Sequence, residues 1–200
     1  YADNQAFKDA LVDGFTMETT FAVNGERLPG DITPFRATES GGFGFDIIPS
    51  GQVKFEVHTD IDGSKAYRYA TTGAYVKTKT FYHFVGVYAD GKVHCYINGI
   101  NAATGDATGE FNFPAVESQW IGIGADCGDT NGANFKIVNA RLYNEPMTEA
   151  MVKALFNKQN GIDFNQGDKQ NNISYYNGSN FTELQNTVVG WGAPWTCDMQ

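Results

Sequence analysis

The acids that could do chemistry in this chain are dispersed. Glu18 stands in FTMETTFAV between Thr16 and Thr20, and Glu56 stands in QVKFEVHT between Lys54 and His58. Cleaving a glycosidic bond takes two carboxyl groups, about 5–5.5 Å apart for retention or about 6.5–9.5 Å for inversion. Neither glutamate has such a partner in its own segment, so hydrolysis would require acids brought together from separate strands. A lone strand glutamate is more often structural or solvated. Asp60 and Asp62 in HTDIDG lie closer together, but Asp-Gly is first a turn signal. There is no Gly-x-Ser-x-Gly elbow for a serine nucleophile and no His-Glu-x-x-His for zinc. His58, His83 and His94 fall on separate segments, and His58 and His94 are predicted to face outward, within reach of a ligand.

The loop ADCGDTNGAN offers Asp126, Asp129, Asn131 and Asn134 in a short span broken by glycine. A hard cation such as Ca2+, which takes about 6–8 oxygen ligands, uses donors of this kind. The same composition serves a polar hairpin loop equally well. Asp60 and Asp62 are a second calcium candidate. Cys95, Cys127 and Cys197 contain no Cys-x-x-Cys pair, which argues against zinc, and an odd count permits at most one internal disulfide. Cys95 takes an inward strand position, so a bridge, if formed, joins Cys127 to Cys197.

Strands and turns must position these groups. In FTMETTFAV, Phe15, Met17, Phe21 and Val23 share one face, and Thr16, Glu18 and Thr20 share the other. QVKFEVHT repeats the pattern, with Val53, Phe55 and Val57 inward. YHFVGVYADGKVHCYING reads as a hairpin turning at Asp90-Gly91, with Val93, Cys95 and Ile97 inward and His94 and Tyr96 outward. WIGIG and FKIVNARLY are apolar on both parities, which predicts central strands covered on two sides. Residues 3–14 and 147–158 carry helical spacing, the latter capped by Thr148 and striped by Met151, Val152, Leu155 and Phe156. The residues from 160 to 200 are rich in Asn, Gln, Gly and Ser and carry Trp191 and Trp195. They are expected to form a final strand or a tail of the same domain, and NIS, NGS and NFT at Asn172, Asn177 and Asn180 match the glycosylation acceptor pattern.

The 200 residues suit one all-β domain, with 42% hydrophobic residues, 14% aromatics and 23 glycines. A formal charge of −9 without any basic run argues against nucleic acid, and no apolar stretch is long enough for membrane insertion. The start at Tyr1 suggests a mature or excised portion of a longer protein.

The order Tyr82-His83-Phe84-Val85-Gly86-Val87-Tyr88, then Asp90-Gly91, then Tyr96-Ile97-Asn98-Gly99 resembles the laminin-G-like branch of the concanavalin A-like lectin/glucanase superfamily. GFTMET, ESGGFGFDIIPSGQVKFEVHT and WIGIG followed by ARLYNEPMTEAMVKALFN extend the resemblance over residues 14–158, although Tyr82 replaces the usual Trp. The resemblance implies a two-sheet antiparallel jelly roll with a shallow groove, and calcium near one edge in many members. His83 falls at the family's usual His position, which implies a structural role. The Glu-x-Asp-x-x-Glu arrangement of the family's retaining glucanases has no counterpart here. The resulting expectation is a non-catalytic carbohydrate-binding or adhesion module of a secreted, periplasmic or cell-surface bacterial protein, joined to other domains of its parent. Its sugar site would be formed by His58, Arg68, His94 and Tyr96, with Trp191 and Trp195 as a rival platform. A hydrolase or lyase with acids from separate strands, and a spacer or protein-interaction domain, are the alternatives.

Overall fold

The computed structural model describes residues 4–25, 32–37, 41–74, 76–113, 121–124, 134–160, 173–176 and 181–184. In chain order the elements are α1 (Asn4–Asp9), β1 (Phe15–Val23), β2 (Ile32–Ala37), β3 (Phe43–Ile47), β4 (Gln52–Ile61), β5 (Ser64–Ala74), β6 (Phe81–Ala89), β7 (Lys92–Ile97) and β8 (Ile100–Asp106). They continue with β9 (Glu110–Phe111), β10 (Ile121–Ile123), β11 (Phe135–Tyr143), α2 (Glu149–Asn160), β12 (Ile173–Tyr176) and β13 (Phe181–Leu184). Two compact units result, Tyr1–Asn157 and Lys158–Gln200. The first holds two antiparallel sheets, β11-β1-β6-β7-β8 and β10-β2-β3-β4-β5, with β9 added to β4. The second contains the antiparallel pair β12-β13. This is the two-sheet jelly-roll sandwich that the resemblance implies. Among the described residues no helix is long and apolar enough to cross a membrane.

Three two-residue turns set the register of the hairpins. Asp62-Gly63, Asp90-Gly91 and Asn98-Gly99 all take positive φ at both positions, as a tight turn matched to strand twist requires. Asp60 supports the first turn by accepting the Gly63 N–H at 2.7 Å.

All ten side chains that the alternation turns inward on β1, β4 and β7 are buried, from Phe15 to Ile97. Phe43, Phe45 and Phe84 complete an aromatic layer between the sheets. Gly86 matters here because a Cβ at its position would collide with the Phe55 ring.

WIGIG and FKIVNARLY do not become central strands. β10 and β11 are the outer strands of their sheets, and Ile121 and Ile123 stay more than half exposed. They are paired with Ala37 and Phe35 and so share the core-facing parity, but among the described residues no further strand of their sheet lies beyond them. At the opposite margin β5 and β8 close on each other, because Gly105 has no side chain to block the Tyr69 carbonyl.

The outer face of the five-stranded sheet is not open to solvent. Thr16, Glu18, Thr20, Val85, Val87 and Tyr96 point that way and are buried. Their cover comes from the segment after β11. Met147 N–H donates to Thr16 Oγ1 at 2.8 Å, the Phe156 ring stacks on His83 with centroids 6.0 Å apart, and Gly99 leaves room for Phe156. Thr148 caps α2 through the Met151 N–H at 3.3 Å, and Val152 and Leu155 are buried along the predicted stripe.

Candidate functional site

The outer face of the six-stranded sheet carries a dense polar cluster. One register row crosses the sheet as Gly122, Arg36, Gly44, Glu56 and Tyr69. A side chain at Gly44 would strike Arg36, so the glycine lets the guanidinium lie flat across β3 and reach Glu56 Oε1 at 2.7 Å. Asp46, on the next row of β3, stands 3.5 Å from the same nitrogen. Asp46 also accepts from Thr33 Oγ1 at 3.0 Å and faces Lys54 Nζ at 3.3 Å. Lys54 Nζ lies 3.9 Å from Glu56 Oε2.

Burial makes these charges interdependent. It works against the Arg36 cation, but the Glu56 and Asp46 charges outweigh that cost and drive its pKa upward. Glu56 is also displaced upward, since burial and repulsion from Asp46 overcome the attraction of Arg36 and Lys54. Two carboxylates on neighbouring strands thus share two cations, with the pair Arg36–Glu56 almost wholly out of solvent.

Beside them, the Arg36 guanidinium lies 5.3 Å from the Tyr67 ring centroid. Tyr67 accepts the Gly41 N–H at 2.9 Å and meets the His58 ring edge-on at 4.6 Å. Burial, then the charge of Lys65, pushes His58 below its ordinary pKa. The neutral ring accepts the Asn112 amide N–H on Nδ1 at 2.6 Å. Tyr69, two residues on, shares the Tyr67 parity and is 55% exposed. The arrangement is an exposed aromatic face beside fixed donors and acceptors, suited to holding a polar ligand with apolar faces.

A second buried cluster lies under α2. Glu18 Oε2 accepts from the Tyr143 hydroxyl at 2.6 Å and from Arg141 at 3.2 Å, and Oε1 accepts from His83 Nε2 at 3.1 Å. Burial alone would raise its pKa. The His83 hydrogen bond, the Arg141 charge and the Tyr143 hydroxyl prevail and hold it at about 2. Glu18 has no exposed surface, so this cluster ties β1, β6 and β11 together.

A family model described as the concanavalin A-like lectin/glucanases superfamily matches residues 4–153. The chain belongs to this superfamily. Among curated proteins none matches it by sequence. Solved structures similar to this concanavalin A-like chain include the sialidase of Trypanosoma rangeli in complex with 2,3-difluorosialic acid, 20% identical over 74% of this chain and 23% of that one, with a TM-score of 0.53. The receptor binding domain of botulinum neurotoxin type G is 11% identical over 74% of this chain and 38% of its own, with a TM-score of 0.53. The binding domain of botulinum neurotoxin DC, in complex with SialylT, is 14% identical over 76% and 37%, with a TM-score of 0.52. This concanavalin A-like chain therefore spans about a quarter of the sialidase and under two fifths of the neurotoxin domains. The likeness is one of fold.

The four residues expected to bind sugar do not converge in the concanavalin A-like sandwich. His58 and Arg68 lie on the six-stranded sheet and His94 and Tyr96 on the five-stranded one. Arg68 pairs with Val57, a core residue, and so takes the parity opposite to His58. Tyr96 faces outward from its sheet as predicted, but it is buried, and burial with Glu149 nearby raises its pKa. His94 is half-buried and bonded to Thr104 Oγ1 at 2.9 Å. His58 alone belongs to the cluster described above.

Of the calcium candidates, Asp126, Asp129 and Asn131 lie outside the described residues, as do Cys127, Cys197, Trp191 and Trp195. Asn134 Oδ1 accepts from the Asn24 amide at 3.1 Å. No three His, Cys, Asp or Glu side chains gather as metal ligands among the described residues.

Arg36, Gly44, Asp46, Tyr67, Tyr69 and Asn112 were not singled out by the sequence reading. A signal exists in SKAYRYATT, where Tyr67 and Tyr69 keep step with each other and Arg68 does not.

Proposed function

We propose that the domain is a carbohydrate-binding module and that its ligand lies on the outer face of the six-stranded sheet, over Tyr69 and beside the Arg36–Glu56–Asp46–Lys54 cluster. The observation that carries this is Tyr69, a ring more than half exposed on a strand whose backbone is packed against Gly105. An exposed ring on a strand offers its face to the CH surface of a pyranose, and the polar groups fixed beside it meet the hydroxyls. The complexes of the similar sialidase with 2,3-difluorosialic acid and of the similar neurotoxin binding domain with SialylT support the reading. Their greater length supports a module joined to other domains, and we place that protein outside the cytoplasm.

One observation favours hydrolysis instead: Asp46 and Glu56 come from separate strands, and Glu56 has a raised pKa. The oxygens of both are already turned to Arg36, Lys54 and Thr33, whereas a general acid must reach the leaving oxygen. Binding is the better fit. A glycan array followed by calorimetry tests it. The wild type should bind with Kd on the order of 0.1–1 mM, and Y69A should lose about tenfold or more while its melting transition stays in place. Equal binding by Y69A would refute the site. Release of reducing ends from a bound polysaccharide, abolished by E56Q, would establish hydrolysis instead.

A further inference from the structure

We infer that the glycan held on this face is uncharged, not sialylated or uronic; the inference rests on the binding reading above. The outer parity of β2 to β5 presents three cations among the described residues, Arg36, Lys54 and Lys65, and three carboxylates, Asp46, Glu56 and Asp60. Two of the cations are already committed. Arg36 lies between Glu56 at 2.7 Å and Asp46 at 3.5 Å, and Lys54 between Asp46 at 3.3 Å and Glu56 at 3.9 Å. Lys65 is exposed and stands opposite Asp60 in the register. His58 is held toward its neutral form.

A sugar carboxylate placed over Tyr69 would approach Glu56, its register neighbour, and could gain Arg36 only by displacing a carboxylate that has little access to water. Like charges brought together out of water are costly, so the site discriminates by repulsion as well as by attraction. The chain's formal charge of −9 adds a long-range barrier to polyanions. Hydroxyls meet no such barrier, since each both donates and accepts.

The test uses affinity electrophoresis in gels containing soluble β-glucan, galactan or mannan, each before and after oxidation of its primary hydroxyls to carboxylates, with lactose against 3′-sialyllactose in calorimetry. Neutral forms should retard the wild type, and the carboxylated forms should bind about tenfold more weakly or worse. D46N, which leaves Lys54 without its nearest carboxylate, should narrow that gap. Binding to the neutral form should also change little between about 50 and about 500 mM NaCl, a measurement that needs no variant. Equal or tighter binding of a carboxylated or sialylated form by the wild type overturns the inference while leaving glycan binding intact. So does a strong loss of neutral binding in salt, or an unchanged gap in folded D46N. Binding to none of the probes refutes the binding reading itself, and the inference with it.

Discussion

Replacing Glu18 by Gln keeps the shape of the side chain and removes the charge that Arg141, His83 and Tyr143 surround. The folded pKa of Glu18 falls from an ordinary 4.5 to about 2. At about 1.4 kcal/mol per unit, the ionised form contributes about 3 kcal/mol to the folded state at pH 7. That agrees with the lower end of the range of about 3–5 kcal/mol for breaking one partner out of a buried pair. A depressed carboxylate pKa gives stability that is complete above the unfolded value and lost as pH falls through the folded one. The advantage of wild type over E18Q should therefore be flat above about pH 5, shrink to about 1 kcal/mol at pH 3 and nearly vanish at pH 2. Urea unfolding of both proteins at pH 7, 5 and 3, with unchanged m-values, measures this. A difference below about 1 kcal/mol at pH 7, or one that does not narrow by pH 3, would show that the cluster is not a stabilising lock.

G86A should cost about 1–3 kcal/mol, because the added methyl meets the Phe55 ring in a filled core; denaturant melts check this, and a variant as stable as wild type would contradict the packing. Burial pushes the Cys95 thiol up to about 12, so iodoacetamide at pH 8 should leave it unmodified in the native protein and label it fully in denaturant. Mass spectrometry of the Cys95 peptide decides the matter, and native labelling at the rate of a free thiol would argue against the buried position.

The alternation in FTMETTFAV, QVKFEVHT and KVHCYI identified the side chains between the sheets, because strand parity depends on local backbone geometry alone. It did not report what lies over the outer faces. Glu18 and Tyr96 point outward and are covered because the segment around Met147 and Phe156 folds back over that sheet. That long-range packing has no period of its own. β10 and β11 were misplaced for a related reason: apolar residues on both parities predict cover on two sides, but both are outer strands, β11 is only partly buried, and Ile121 and Ile123 on β10 remain exposed. The polar face was half legible. His58 and Glu56 carry the correct parity in the sequence, whereas Arg36 reaches Glu56 across β3 through the space at Gly44, a contact that needs the register of three strands.

The position of β1 has a consequence for how the chain is made. It lies between β6 and β11, and Glu18 is 123 residues from Arg141. While the chain emerges from the ribosome, β1 through β8 can pair, but β1 keeps a bare edge and Glu18 lacks its arginine until β11 arrives. The sheet closes only once β11 has emerged, so until then the nascent chain presents an unpaired strand edge of high β-propensity, the kind of surface that chaperones shield and that mispairs with another copy when they do not.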